Sequence, residues 1–427
     1  MKSIKIGLVG YGTVGKGVVK ILEQNRRLIE SRVGYPVEIA GICDVRPVEP
    51  ISLYVPRYQD LIANPAIDIV VELIGGYEPA RTVILSSLKA GKNVVTANKA
   101  VLAKYWNEVF TTARARKKLV YFEASVAGAI PVIQGLNEGL AANRIEKISG
   151  ILNGTTNYIL TEMTKKSIDF SVALKQAQKA GFAESDPSFD LEGIDTANKL
   201  AILSSLAWGS WIKVPQIYTR GITAVTKEDV YFAAKFGYVI KLIGQAHRGP
   251  RGLSLSVQPC LVPKRHAFAA VEKEYNAVEI HGDAVGDVMF YGKGAGQMPA
   301  ASAVVSDIIF LARQVANGTA GQVPYITYDP SQKINIIAPN KTEGAHYLRF
   351  HAVDKPGVLS KIAGVLGKHA VSIARVYQEE PHNSSKRGVP VIMLTHSTNH
   401  GDLLKALKAI DALPIVKSKS IQFKIED

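Results

Sequence analysis

The sequence predicts an α/β protein in three parts: a doubly wound parallel sheet, an α+β body, and a small C-terminal ferredoxin-like unit. Three observations carry this. Strand and helix signals alternate from Ile4 to Phe122, the rhythm of parallel strands joined by crossover helices. After about residue 145 the rhythm changes to helices followed by a run of strands between Tyr238 and Tyr291. From His346 the order β-α-β-β-α-β fits into about 80 residues, the ferredoxin-like arrangement. The expected domain limits are 1–132 and 133–320, a linker at 321–344, and 345–427, with a helix near 298–316 returning to the first domain.

The first element, Ile4–Val9, reads as a buried strand. Gly10-Tyr11-Gly12-Thr13-Val14-Gly15 follows, then a helical pattern to about Arg32. This is G-x-G-x-x-G between a strand and a helix, the context in which it binds a dinucleotide. Gly10 permits the tight turn, Gly12 lets a pyrophosphate approach, and Gly15 lets helix and strand pack closely. Thr13 and Val14 open the helix whose N-terminal amides face the phosphates. The second strand, Val37–Cys43, ends in Asp44-Val45-Arg46. An acid here holds ribose hydroxyls and favours NAD, whereas an arginine accepts the extra phosphate of NADP; both are present, so either cofactor is expected. The spacing to Asp44 implies a lengthened first helix. Strands at Asp68–Leu73, Asn93–Ala97 and Leu119–Phe122 alternate with helices at Pro79–Ala90 and from Val101 to about Lys118. Ligands bind beyond the carboxyl ends of such strands, which points to Gly75, Lys99 and Glu123. Lys99 also reads as a solvated lysine at a helix start.

In the second part, a strand at Ile145–Leu152 leads into Asn153-Gly154-Thr155-Thr156-Asn157, a polar turn that caps a helix. A further helix, from Asp169 to Ala180, delivers Gly181-Phe182-Ala183-Glu184-Ser185-Asp186-Pro187 and then Asp190. Asp195 and Lys199, four residues apart in the next helical pattern, share a face. Taken alone, these carboxylates and amine read as a solvated acidic loop with a surface ion pair. Behind a dinucleotide domain they read as a site. The run Gly292–Gly296 precedes another helix and is expected to bring Gly296 back to the cofactor, with a plain flexible turn as the competing reading.

Composition narrows the classes. The 427 residues are 47% hydrophobic and 21% charged, the balance of a globular protein, and the longest apolar runs are strand-sized, so no membrane span is expected. The net charge of +14 is spread along the chain without zinc spacing or RNA-stacking motifs, so no nucleic-acid partner is expected. A basic surface suits anionic small molecules instead. Two cysteines, Cys43 and Cys260, and an N-terminus without a signal pattern suit the cytoplasm.

Gly10–Gly15, Thr96-Ala97-Asn98-Lys99, Ile151–Leu160 (ILNGTTNYIL), Gly181–Lys199 and Gly292–Gly296, in that order over about residues 1–320, resemble the homoserine dehydrogenase family. The resemblance implies interconversion of L-aspartate 4-semialdehyde and L-homoserine by hydride transfer with NADPH or NADH. It makes Lys199 the proton donor, with Asp195 orienting its amine and helping to bind substrate. Glu184, Asp190 and Thr155 then contact the substrate, and Lys99 is a catalytic residue where cofactor and substrate meet, in a supporting acid/base role. A lysine ammonium suits this chemistry, because it can stabilise a developing alkoxide and also protonate it. The resemblance further implies a sodium site at Glu123 and the carbonyls of Val126, Gly128 and Ile130.

The C-terminal unit carries Asp354-Lys355-Pro356-Gly357-Val358-Leu359 and Val371-Ser372-Ile373, which resemble an ACT domain. Such modules bind small amino acids at the turn before their first helix, here Asp354, Pro356, Gly357, Val358 and Leu359. The resemblance implies L-threonine as effector and either a homodimer or a tetramer with ACT pairs added. A pairing module without a ligand is the alternative. Pro381–Arg387 is expected to be a mobile loop without function, and no aspartate kinase segment is expected, since the chain opens on the dinucleotide strand. Two rivals stay in view: another oxidoreductase of amino-acid metabolism, and a non-catalytic sensor that keeps NAD(P) as a structural ligand.

Overall fold

The computed structural model describes residues 3–379 and 388–426; the Pro381–Arg387 loop lies outside the described residues. The chain divides into two compact units. The first comprises Met1–Ile148, Asn198–Gln216 and Tyr275–Ile334, and the second comprises Ser149–Ala197, Ile217–Glu274 and Asn335–Asp427.

The first unit is built on five parallel strands, β1 (Ile4–Val9), β2 (Val37–Cys43), β3 (Ile69–Glu72), β4 (Asn93–Thr96) and β5 (Val120–Tyr121), in the order β2-β1-β3-β4-β5. Their near-continuous apolar runs follow from burial on both faces. Val9 pairs with Glu72 and Glu72 with Thr96, so the carboxyl ends of β1, β3 and β4 stand level. The strand order reverses between β1 and β3, and the crevice there is the usual ligand position in such sheets. Helices Thr13–Gln24 and Gln297–Ala316 bury Val18, Leu22, Val304 and Ile308 in the same core as Ile4, Ile6 and Leu8. A Cβ on Gly17 would lie 2.8 Å from that of Ala301, so only glycine allows this helix contact. Gln297–Ala316 is long and apolar enough to cross a membrane, and its buried face is instead part of this core.

The lengthened first helix is in fact two, Thr13–Gln24 and Arg26–Val33, broken at Asn25 (φ −104°, ψ 18°). Asparagine competes for backbone hydrogen bonds in a helix interior, which favours a break there.

The second unit holds helices Gly154–Lys166, Phe170–Lys179 and Ser188–Leu191 and a mixed sheet. Tyr238–Gly249 and Gly252–Pro263 form a long antiparallel pair. Val416–Ile425 joins Gly252–Pro263 in parallel, and His346–Ala352, Val389–Thr395 and Ile373–Gln378 continue the sheet antiparallel. The C-terminal βαββαβ unit therefore has its last strand beside its first, then its third and second. Its sheet is continuous with that of the body. Leu348, Phe350, Val391 and Met393 face helices Val358–Lys368 and His400–Asp411. The alternate residues Tyr347 and Arg349 face a helix the sequence reading lacked, Lys227–Lys235. It is only nine residues long, and its start is fixed by a capping box between Thr226 and Asp229.

Candidate active site

In the first unit, the nucleotide residues converge on the carboxyl ends of β1, β3 and β4. Gly10 has φ +102°, and a Cβ there would lie 2.8 Å from the carbonyl of Leu73. A Cβ on Gly15 would lie 2.3 Å from the Gly10 oxygen. Both glycines are thus required by contact. Gly12 and Gly75 instead face open space, so neither glycine is required by a protein contact. Thr13 and Val14 form the first turn of the helix beyond. At the end of β2, Asp44 accepts hydrogen bonds from the Tyr11 amide (2.6 Å) and the Arg46 amide (3.3 Å), which fixes its carboxylate beside the glycine turn. The Arg46 side chain is exposed.

The loop after β3 is held by groups the sequence reading passed over. Glu72 is fully buried and accepts from the Ile74 amide (2.6 Å) and the Thr96 hydroxyl (2.5 Å). Burial pushes its carboxyl up to about 7. Asn98 donates to the Ile74 and Gly76 carbonyls (2.9 and 2.8 Å) and caps the Lys99–Ala115 helix through the Val101 amide. Lys99 therefore opens a helix tied to the Gly75 loop, and it is half-buried.

Glu123 is also buried. Its carboxylate accepts from the Ile133 and Gln134 amides (2.8 Å each), and its own amide donates to Asp307 (2.8 Å). Burial pushes Glu123 up to about 7, and burial with the neighbouring Glu123 charge holds Asp307 well above the carboxylate range. Ala127 and Gly128 are both left-handed (φ 54° and 59°), so Val126–Ile130 is a tight turn. A Cβ on Gly128 would meet the Gly294 oxygen at 2.5 Å, and Ala129 donates to Lys293. The turn thus sits against the Gly292–Gly296 run. Gly296 (φ +127°) opens the helix whose Gln297 carbonyl would be 3.0 Å from a Cβ on Gly17.

Glu72 and Asp307 did leave a signal. One is a charge ending an apolar strand before a double glycine, and the other is the lone acid of an apolar 20-residue helix.

In the second unit, Asn153 is the hub. Its Oδ1 caps helix Gly154–Lys166 through the Thr156 amide (2.8 Å), and its Nδ2 donates to Asp190 (2.7 Å) and Asp195 (2.9 Å). Asn153 and Asp195 are buried and Asp190 is half-buried. Next along the helix, Thr155 donates to the Phe182 carbonyl (2.7 Å) and so draws in the Gly181–Pro187 turn. Glu184 is exposed on that turn. Gly193 (φ +83°) then breaks the short Ser188–Leu191 helix from Ile194–Trp208, which carries Asp195 and, one turn on, where the chain has passed into the first unit, the buried Lys199. The structure thus joins Asn153, Asp190 and Asp195 by hydrogen bonds, while the Glu184 carbonyl accepts from the Gln178 side chain (3.1 Å). In the C-terminal unit, Gly357 (φ +83°) starts helix Val358–Lys368; Asp354, Pro356 and Leu359 are exposed around it and Val358 is buried.

Homoserine dehydrogenase from Pseudomonas aeruginosa is 41% identical to this chain over 435 residues, covering 100% of the chain and 99% of the relative. The chain belongs to the homoserine dehydrogenase family. Residues 131–309 match the family's homoserine dehydrogenase segment, residues 10–123 its NAD-binding domain, and residues 346–415 the ACT domain. Homoserine dehydrogenase from Neisseria gonorrhoeae is 40% identical over 433 residues, with 100% and 99% of the two chains covered. The crystal structure of a homoserine dehydrogenase from Thiobacillus denitrificans superposes with a TM-score of 0.94 at 42% identity, covering 100% of this chain and 99% of that one. The protein is accordingly an NAD(P)-dependent oxidoreductase with homoserine dehydrogenase activity and a C-terminal ACT domain.

Proposed function

We propose that the chain reversibly reduces L-aspartate 4-semialdehyde to L-homoserine with NADH or NADPH, in the cytoplasmic synthesis of threonine, methionine and isoleucine. The observation that carries this is the Asn153–Asp190–Asp195 cluster, which fixes Asp195 one helical turn before Lys199. Gly10, Gly12, Thr13, Val14, Gly15, Asp44, Arg46, Gly75, Lys99 and Gly296 hold the cofactor, and the bound nicotinamide supplies the hydride. Reduction leaves negative charge on the aldehyde oxygen. The Lys199 ammonium stabilises that oxygen and donates its proton, and Asp195 orients the amine. Glu184 takes the substrate's amino group, while Asp190 and Thr155 complete its contacts. Lys99 supports the carboxylate or the nicotinamide ribose.

A carboxylate and backbone carbonyls are oxygen donors of the kind that suits a hard monovalent cation. Glu123, Val126, Gly128 and Ile130 would hold sodium in a structural role. L-Threonine binds at Asp354–Leu359, where helix-start amides take its carboxylate, and inhibits the enzyme. The working assembly is a homodimer, with ACT pairing available for a tetramer. The working domain limits are 1–132, 133–320 and 345–427.

The test is the initial rate of NAD⁺ and NADP⁺ reduction with L-homoserine, against a panel of other amino and hydroxy acids. Turnover confined to homoserine is expected. Absence of turnover with both nucleotides would replace this reading with that of a sensor.

A further inference from the structure

The helix Lys227–Lys235 is clamped to the ACT sheet at both ends. At its start, Asp229 is fully buried. Its carboxylate accepts from Arg349 Nε (2.7 Å), Arg349 Nη2 (3.1 Å) and the Tyr347 hydroxyl (3.1 Å) while also closing the capping box with Thr226. The third guanidinium nitrogen, Nη1, reaches Glu228 (3.1 Å), which also pairs with His351 (3.0 Å). At its end, Lys235 pairs with Glu379 (2.6 Å) and donates to the Tyr377 hydroxyl (3.0 Å). The helix also buries Val230, Phe232, which meets the Tyr377 ring, and Ala233, and it packs on strand Tyr238–Gly249 and helix Gly154–Lys166. Lys227 also reaches Asp169 at the start of the next helix (3.3 Å).

We infer that Arg349, through Asp229, is a positioning residue for the Asn153–Thr155 substrate turn: the ACT strand His346–Ala352 sets the helix that backs the helix bearing that turn. This rests on the reading of that turn as a substrate contact. A bidentate guanidinium–carboxylate pair has one geometry, so a shift of the strand is passed on to Asp229 rather than absorbed. The effector turn at Asp354 begins two residues after the same strand ends, which places Arg349 and His351 between effector and helix along the chain.

The test uses the full chain with Arg349→Lys, which keeps the charge and loses the fork, and Asp229→Asn as the second variant should the first fail to fold. Two quantities are read: Michaelis constants, and backbone amide exchange across residues 154–166. The KM for L-homoserine should rise about 2- to 30-fold with the nucleotide KM unchanged, and amides 154–160 should exchange faster. A merely structural role lowers the active fraction, and hence kcat, without this split. Unchanged homoserine KM and unchanged exchange in a folded variant would overturn the inference. If the wild-type chain fails to turn over homoserine, the functional reading fails by itself. The exchange arm still decides whether Arg349 positions the turn.

Discussion

Asn153 does two jobs with one amide, and substitution can separate them. The oxygen caps a helix and the nitrogen donates to Asp190 and Asp195. Asn153→Ser keeps a capping oxygen and loses both donors. Asn153→Ala loses both functions: a cap of ~1 kcal/mol and two hydrogen bonds to carboxylates, together on the order of 4 kcal/mol. Asn153→Asp keeps the cap and adds a favourable charge at the helix start, about 0.3–1 kcal/mol. However, it puts an anionic oxygen where a donor stood, 2.7 and 2.9 Å from two other carboxylates. A like-charge pair at about 4 Å costs about 4 kcal/mol at an effective dielectric of about 20, and there are two such pairs. At pH 8 the expected order of melting temperature is wild type, Ser, Ala, Asp. At pH 5 the Asp variant should recover past Ala, because one of its three carboxyls is then protonated. Melts at both pH values, with the homoserine KM, check this. An Asp variant as stable as wild type at pH 8 would refute the assigned orientation of the Asn153 amide and the like-charge argument with it.

Two further outcomes follow from the nucleotide unit. Glu72 has a folded pKa of about 7 against an ordinary 4.5, so the folded state holds the proton more tightly. The ionisation penalty is absent below pH 4.5, grows as pH rises and is complete above about 7, at ~3 kcal/mol. Glu72→Gln should therefore gain stability relative to wild type between pH 5 and 8, read from urea midpoints; a parallel pair of pH curves would contradict this. Asp44→Ser removes the carboxylate fixed beside the glycine turn. The kcat/KM ratio for NADP⁺ over NAD⁺ should rise about tenfold or more, equivalent to ~1.4 kcal/mol, and an unchanged ratio would remove Asp44 from the ribose end of the site.

What was legible in the sequence was mostly local. The glycines of Gly10–Gly15 are dictated by contacts within one turn, and the strand–helix alternation by burial of short apolar runs. The ferredoxin-like order after His346 was equally readable, and the four-residue spacing of Asp195 and Lys199 needed only a helix. The rest depends on partners far apart in sequence. Asp307 takes the Glu123 amide across a separation of 184 residues, which no periodicity records. Helix Lys227–Lys235 is only nine residues long, too short for a clear period, and part of its anchoring is ionic, through Asp229 to Arg349. The break at Asn25 turned one expected helix into two while keeping the added length before β2. The parallel join of Val416–Ile425 to Gly252–Pro263 also left no local trace, since an edge strand reads the same whether or not it is paired.

The proton donor is the centre of the account, and Lys199→Ala tests it most directly when turnover with L-homoserine is measured beside nucleotide binding. The expected result is a fall in kcat of about 10²- to 10⁴-fold, the usual contribution of a positioned acid–base group, with nucleotide affinity unchanged. Turnover within a few-fold of wild type would contradict it and place the proton transfer on another residue.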